Sequence, residues 1–201
     1  MPQIDFWYSI GSTYTYLTVM RLPALADKTG ITVNWRPFSV RAIMIEQNNI
    51  PFSGKPARTA HMWRDIERRA PRYGLSPKIP ASYPLEEFDL ANKVAILGQQ
   101  EGWVQDYTIA TYERWFEQGA PAGSEPNLSA SLRAIGQDPD RVLAAVESTD
   151  CESAYLKATE DARQLGIFGA PSFTVGTELF WGDDRLEDAI DWAKSQKTTT
   201  S

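Results

Sequence analysis

The sequence predicts an α/β protein: a βαβ unit at the start, a long helical middle and a ββα unit at the end. Three observations predict it. Two short runs of β-branched and aromatic residues, 3–8 and 31–38, flank a helical stretch. Between about 57 and 165 the apolar residues recur at helical spacing, punctuated by Gly and Pro. Near the end, two short strands flank Gly176-Thr177, a tight hairpin signal, and a last helix follows.

Each element has its own justification. Phe6, Trp7 and Tyr8 are strand formers, and Gly11 breaks the run. Ser12 stands where an N-cap belongs, ahead of a helix over 13 to about 28, with Gly30 as its stop signal. Ile31 to Phe38 is the second strand. Strand, helix and strand at this spacing predict a parallel pair. The stretch 41–56 is ambiguous, with Asn48-Asn49-Ile50-Pro51 marking a loop. An Arg-rich helix is expected over 57–72, and a Pro- and Gly-rich loop over 73–84. Helices over 86–101 and 103–118 follow, the first ended by Gly102. Asn127 and Asp138-Pro139 signal two further starts, the second with Pro at the first helical position. Thr149 or Asp150 caps a helix reaching Leu165 and stopped by Gly166. Strands are expected at 171–176 and 178–181, then a helix over 183–194 and a frayed tail at 198–201.

Composition narrows the function. The chain has 201 residues, 42% of them hydrophobic, which is enough for a sizeable core. Its formal net charge is −6 without a cluster of Lys or Arg, so nucleic acid and anionic membrane are not expected partners. Nothing approaches a membrane span or a signal peptide, and the default location is cytoplasmic. The single cysteine, Cys151, excludes an intrachain disulfide and a Cys-x-x-Cys redox motif. A structural thiol is the expected role of Cys151, although a helix first turn could lower its pKa. With one histidine, His61, no zinc site is expected. His61 has no recognisable partner and reads as a surface or capping residue.

Several residues could carry chemistry. Ser12 at a helix N-terminus brings a hydroxyl and unpaired N–H groups to one point, which favours an anion such as a thiolate. Taken alone it reads as a helix cap. Pro171 alone reads as a trans proline opening a strand. Asp183 and Asp184 alone read as acids favoured by a helix dipole. Arg36, at the end of the second strand, could hold a carboxylate bidentately or be an ordinary surface arginine.

Two motifs taken together change the balance. Ser12-Thr13-Tyr14-Thr15-Tyr16-Leu17, with Gly169-Ala170-Pro171-Ser172-Phe173 and Phe180-Trp181-Gly182-Asp183-Asp184-Arg185, resembles the glutathione-dependent branch of the DsbA-like thioredoxin superfamily. Its members include the 2-hydroxychromene-2-carboxylate isomerases and the kappa-class glutathione transferases. Thr13 departs from the family's usual proline. The resemblance covers essentially the whole chain. It implies a thioredoxin-like fold (βαβ … ββα) with a large all-α insertion: residues 1–40 plus 166–197 as the thioredoxin-like domain, 41–165 as the insertion. It implies glutathione as cofactor, with Ser12 stabilising the thiolate in place of the superfamily's cysteine. Pro171 would be cis and precede an edge strand, leaving the Ala170 backbone to pair with the peptide. Trp181, Gly182, Asp183, Asp184 and Asn49 become glutathione-site candidates, while Arg185 could equally hold the turn by an ion pair. Arg36 and Asn48 become candidates for the substrate carboxylate. The implied activity is isomerisation of 2-hydroxychromene-2-carboxylate to trans-o-hydroxybenzylidenepyruvate in the breakdown of naphthalene-like aromatics, by reversible thiolate addition. A kappa-class-like transferase and a non-catalytic thiol-binding or chaperone-like module are the alternatives. A homodimer is expected from the family.

Overall fold

The structure is a computed structural model in which residues 1–50, 52 and 54–198 are described. Of the tail expected at 198–201, residues 199–201 lie outside them, and Thr198 instead ends the last helix. In chain order the elements are β1 (Gln3–Tyr8), α1 (Thr15–Thr29), β2 (Thr32–Pro37), α2 (Val40–Glu46) and α3 (Pro56–Arg69), which tightens into a 3₁₀ turn at Ala70–Tyr73. Then come α4 (Phe88–Glu101), α5 (Val104–Glu113) with a π turn at Arg114–Gln118, α6 (Asn127–Ala134), α7 (Pro139–Val146) and α8 (Thr149–Gln164). The chain closes with β3 (Ser172–Val175), β4 (Glu178–Trp181), a 3₁₀ turn at Asp183–Arg185 and α9 (Leu186–Thr198).

The sheet order is β2-β1-β3-β4. β1 and β2 are parallel, and the other pairs are antiparallel. This is the thioredoxin-like arrangement, enlarged by the helices between β2 and β3. β3 therefore lies between β1 and β4. The expectation of an edge strand after Pro171 is corrected: β4 takes the edge because the Gly176-Thr177 hairpin folds it onto the outer side of β3.

Strand alternation sorts the side chains. Ile4, Phe6 and Tyr8 join the main core with Phe173 and with Tyr16 and Leu17 of α1, Ala91 and Val94 of α4, and Ile190 of α9. Trp7 points the other way, into a smaller cluster with Phe38, Val40, Ile43, Ala162 and Ile167. The main core joins residues on both sides of the expected domain boundary, so sheet and insertion share one apolar interior.

Several element ends differ from expectation for local reasons. α1 starts at Thr15 with Tyr14 at the N-cap position and no side-chain cap, because the Ser12 hydroxyl is spent elsewhere. α8 is capped by Ser148, whose Oγ accepts from the Cys151 amide at 3.2 Å. The expected helix over 103–118 divides at Glu113 into α5 and the π turn. The ambiguous stretch after β2 yields α2, capped by Ser39.

Candidate functional site

The site is built around the turn between β1 and α1. Gly11 has φ +125°, which favours glycine. Three helices of the insertion hold this turn. Asn92 of α4 accepts from the Ile10 amide and donates to the Ile10 carbonyl, both at 2.8 Å. Tyr112 of α5 shares its hydroxyl proton between the carbonyls of Ser9 at 3.1 Å and Ser12 at 3.0 Å. Burial keeps that phenol well above its usual pKa, so it stays a donor. From α3, Met62 offers its Sδ to the Thr13 hydroxyl at 2.8 Å. Buried polar groups on the insertion thus fix the backbone of a thioredoxin-like turn, a satisfied network in a dry place.

Ser12 is partly exposed and donates its Oγ proton to the Ala170 carbonyl at 2.8 Å. The Ala170–Pro171 peptide is cis. One hydrogen bond therefore ties the β1–α1 turn to the loop before β3. Around this contact lies a cavity of about 640 Å³, the size of a small-ligand site. Ile10, Met44, Phe52, Phe88, Phe168 and Trp181 give it an apolar lining. Phe168 and Trp181 meet at 4.9 Å between ring centroids on its rim. Gly169 allows this, since a Cβ there would fall 2.3 Å from the Trp181 indole nitrogen. Tyr14 also lines the cavity, and burial pushes its hydroxyl up to about 12.

The expected site residues separate into groups. Ser12, Asn49, Ala170 and Trp181 line the cavity together. Pro171 and Gly182 lie behind it, joined by a 2.9 Å bond from the Gly182 amide to the Pro171 carbonyl. Asn48, exposed and with φ 51°, is outside the lining. Arg36 is also outside. It sits beside Trp7 in the β1–β2 register and pairs with Asp5, Nε to Oδ1 at 3.5 Å. The alternation of β2 places it on the Trp7 side of the sheet, where its guanidinium meets Asp5 rather than the cavity.

Asp183 and Asp184 part company. The Asp183 side chain is fully buried, accepting from Thr18 at 2.8 Å and paired with Arg21 and Arg69. Burial raises its pKa, and Arg21, Thr18 and Arg69 pull against that rise. Its carboxylate thus belongs to an internal ion cluster. Asp184 is exposed, pairs with Arg185, and lines a separate polar cleft of about 430 Å³ with Asp65, Arg69, Arg72, Tyr73 and Glu187.

The sequence reading missed Arg41, Arg58, His61 and Tyr83, all of which line the cavity. His61 is exposed on α3 and caps no helix. Its spacing of three residues from Arg58 was a usable signal, since both then share one helix face. Cys151 is buried, and burial raises its pKa, outweighing the lowering that a helix first turn could bring.

Comparison with known proteins agrees with the fold. The model of the DSBA-like thioredoxin domain matches residues 3–191. A 2-hydroxychromene-2-carboxylate isomerase of Sphingobium xenophagum is 30% identical over 92% of this chain and 94% of its own length. Glutathione S-transferase kappa 1 of Caenorhabditis elegans is 26% identical over 92% of this chain and 88% of its own. Among solved structures, a 2-hydroxychromene-2-carboxylate isomerase superposes with a TM-score of 0.85, each chain covering 99% of the other at 23% identity.

Proposed function

The chain belongs to the DSBA-like thioredoxin domain family, in the branch of the 2-hydroxychromene-2-carboxylate isomerases, and we propose that it is a glutathione-dependent isomerase of a small aromatic carboxylate. The substrate pair we assign is 2-hydroxychromene-2-carboxylate and trans-o-hydroxybenzylidenepyruvate. One observation carries the reading: the Ser12 hydroxyl, held against the loop before a cis proline on the wall of an apolar cavity.

The residues fit a thiol-bearing tripeptide. Asn49 and Arg58 offer donors to a peptide carboxylate from the same lining, and Trp181 offers a flat apolar wall. The Ser12 hydroxyl has one proton to give. Here it goes to the Ala170 carbonyl, so stabilising a sulfur anion requires it to change acceptors. The Ala170 carbonyl is then open to the N–H of an extended peptide. The amides of Ser12, Tyr16 and Leu17 already bond the carbonyls of Ser9, Thr13 and Tyr14, so what the start of α1 adds here is its dipole, which favours a negative charge near Ser12. Bound glutathione supplies a thiolate that adds reversibly to a conjugated carbon, allowing rotation about what was a double bond. The chain's own part is to hold the Ser12 proton toward the sulfur, fix the turn through Asn92 and Tyr112, and keep water out with Phe168 and Trp181. Pro171 and Gly182 shape the Ala170 loop from behind, and Asp183 anchors the turn that follows Trp181.

Calorimetric titration of glutathione and S-methylglutathione into wild type and Ser12→Ala tests this. The reading requires wild type to bind both, and the substitution to weaken glutathione more than its S-methyl form. Absence of binding to either ligand sinks it. A second reading, a kappa-class-like transferase, is favoured by the nematode relative and uses the same thiolate. It differs in releasing a conjugate, which product analysis in the isomerase assay detects.

A further inference from the structure

The cavity is lopsided in charge. Arg41, Arg58 and His61 line it, and among the described residues no Asp or Glu does. This is a cationic site in a chain of net charge −6. Arg41 is the least explained of the three. Among the described residues it forms no ion pair; its guanidinium lies over the Phe88 ring, 4.1 Å from the centroid, and its charge also acts on the Tyr83 hydroxyl. It sits in the first turn of α2, where a cation opposes the helix dipole. Helix stability therefore gives no reason for an arginine here.

The fold nonetheless presents Arg41 on a rigid support. Val40 and Ile43 bury one face of α2 against Trp7, Phe38, Ala162 and Ile167. Ser39 caps the helix, and its amide donates to Thr159 at 3.0 Å. Phe88 reaches back to the catalytic turn: a Cβ on Gly11 would lie 3.5 Å from its Cβ. A single ring therefore separates the guanidinium from the turn that carries Ser12. An arginine stacked on an aromatic face keeps its fork of donors free for a planar carboxylate.

We propose that Arg41 is the specificity-determining residue of the cavity, binding the carboxylate of an aromatic acid whose ring packs beside Phe88. The proposal rests on the function assigned above for the aromatic acid as second ligand, and it moves the carboxylate anchor from Arg36 to Arg41.

The test uses trans-cinnamate and neutral cinnamamide as probes, titrated with and without glutathione into wild type, Arg41→Met and Arg41→Lys. Methionine keeps an apolar stem over Phe88 and removes the charge. Wild type should prefer cinnamate by about tenfold. Arg41→Met should bring cinnamate down to the level of cinnamamide and leave cinnamamide unchanged, with Arg41→Lys in between. A merely structural role would weaken both probes together. Equal binding of the two by wild type, equal loss of both in Arg41→Met, or no cinnamate binding would overturn the proposal. So would a loss confined to glutathione, which would assign Arg41 to the peptide. If glutathione fails to bind while the cinnamate preference follows Arg41, the glutathione reading falls and this one stands.

Discussion

Two clusters of charge in this molecule are built in opposite ways. At the start of the turn before α9, Asp183 is buried with Thr18, Arg21 and Arg69, and Arg21 also meets Glu187. Each buried charge there has a partner of opposite sign. Across α1, the cavity holds Arg41, Arg58 and His61 with no lining carboxylate among the described residues. A charge that is buried must be compensated within the fold, whereas a charge facing an open cavity can wait for a ligand. The difference separates residues that hold the protein together from residues that recognise something. By that criterion Asp183, although its motif lies among the expected ligand-site residues, is foremost a structural carboxylate.

The comparison breaks most readily at Asp183. Replacing it with Ala leaves two partly buried guanidinium groups without their shared partner. A loss of about 3–5 kcal/mol in urea unfolding is expected. A loss under 1 kcal/mol would mean that the cluster is not compensated as described.

At the cavity the expected effects fall on activity. Ser12→Ala should lower kcat/KM in the isomerase assay by about 100-fold, the scale of losing one donor to a developing anion. Its unfolding free energy should change by only about 1 kcal/mol, the net worth of the bond to Ala170. Asn92→Ala lies between the two regions in kind. It strips both partners from Ile10 and should cost about 2–3 kcal/mol of stability together with activity, since the turn that carries Ser12 is released.

The smallest effect is expected at Cys151. The thiol is buried, its Sγ facing the Lys93 carbonyl at 3.6 Å, and burial raises its pKa. Cys151→Ser should leave turnover within about twofold of wild type, as expected for a site outside the cavity. Iodoacetamide should label the wild-type thiol slowly until the protein is unfolded.

How much was legible in the sequence follows the same division. Strands and helices were readable because Gly30, Gly102, Gly166 and the Gly176-Thr177 pair punctuate them locally. The contact of Ser12 with the Ala170 loop spans 158 positions, and only the paired motifs hinted at it. Element ends were misplaced where distant partners decide them, as when the Ser12 hydroxyl turns to Ala170 and leaves α1 to start later. Arg41 was not singled out, because Phe88, far along the chain, is what it stacks on beside the cavity, and no spacing near Arg41 reveals that contact. Burial, which decides the role of Asp183, is set by Thr18, Arg21 and Arg69, and no spacing near Asp183 reveals them.

The central claim is that Ser12 and the start of α1 stabilise a thiolate in the cavity. The most direct measurement is the ultraviolet thiolate absorbance of glutathione bound to wild type and to Ser12→Ala, followed as a function of pH. The account predicts that the bound thiol ionises at lower pH than free glutathione, and that the substitution returns it toward the free value. A bound thiol that titrates like free glutathione in the wild-type protein would contradict it.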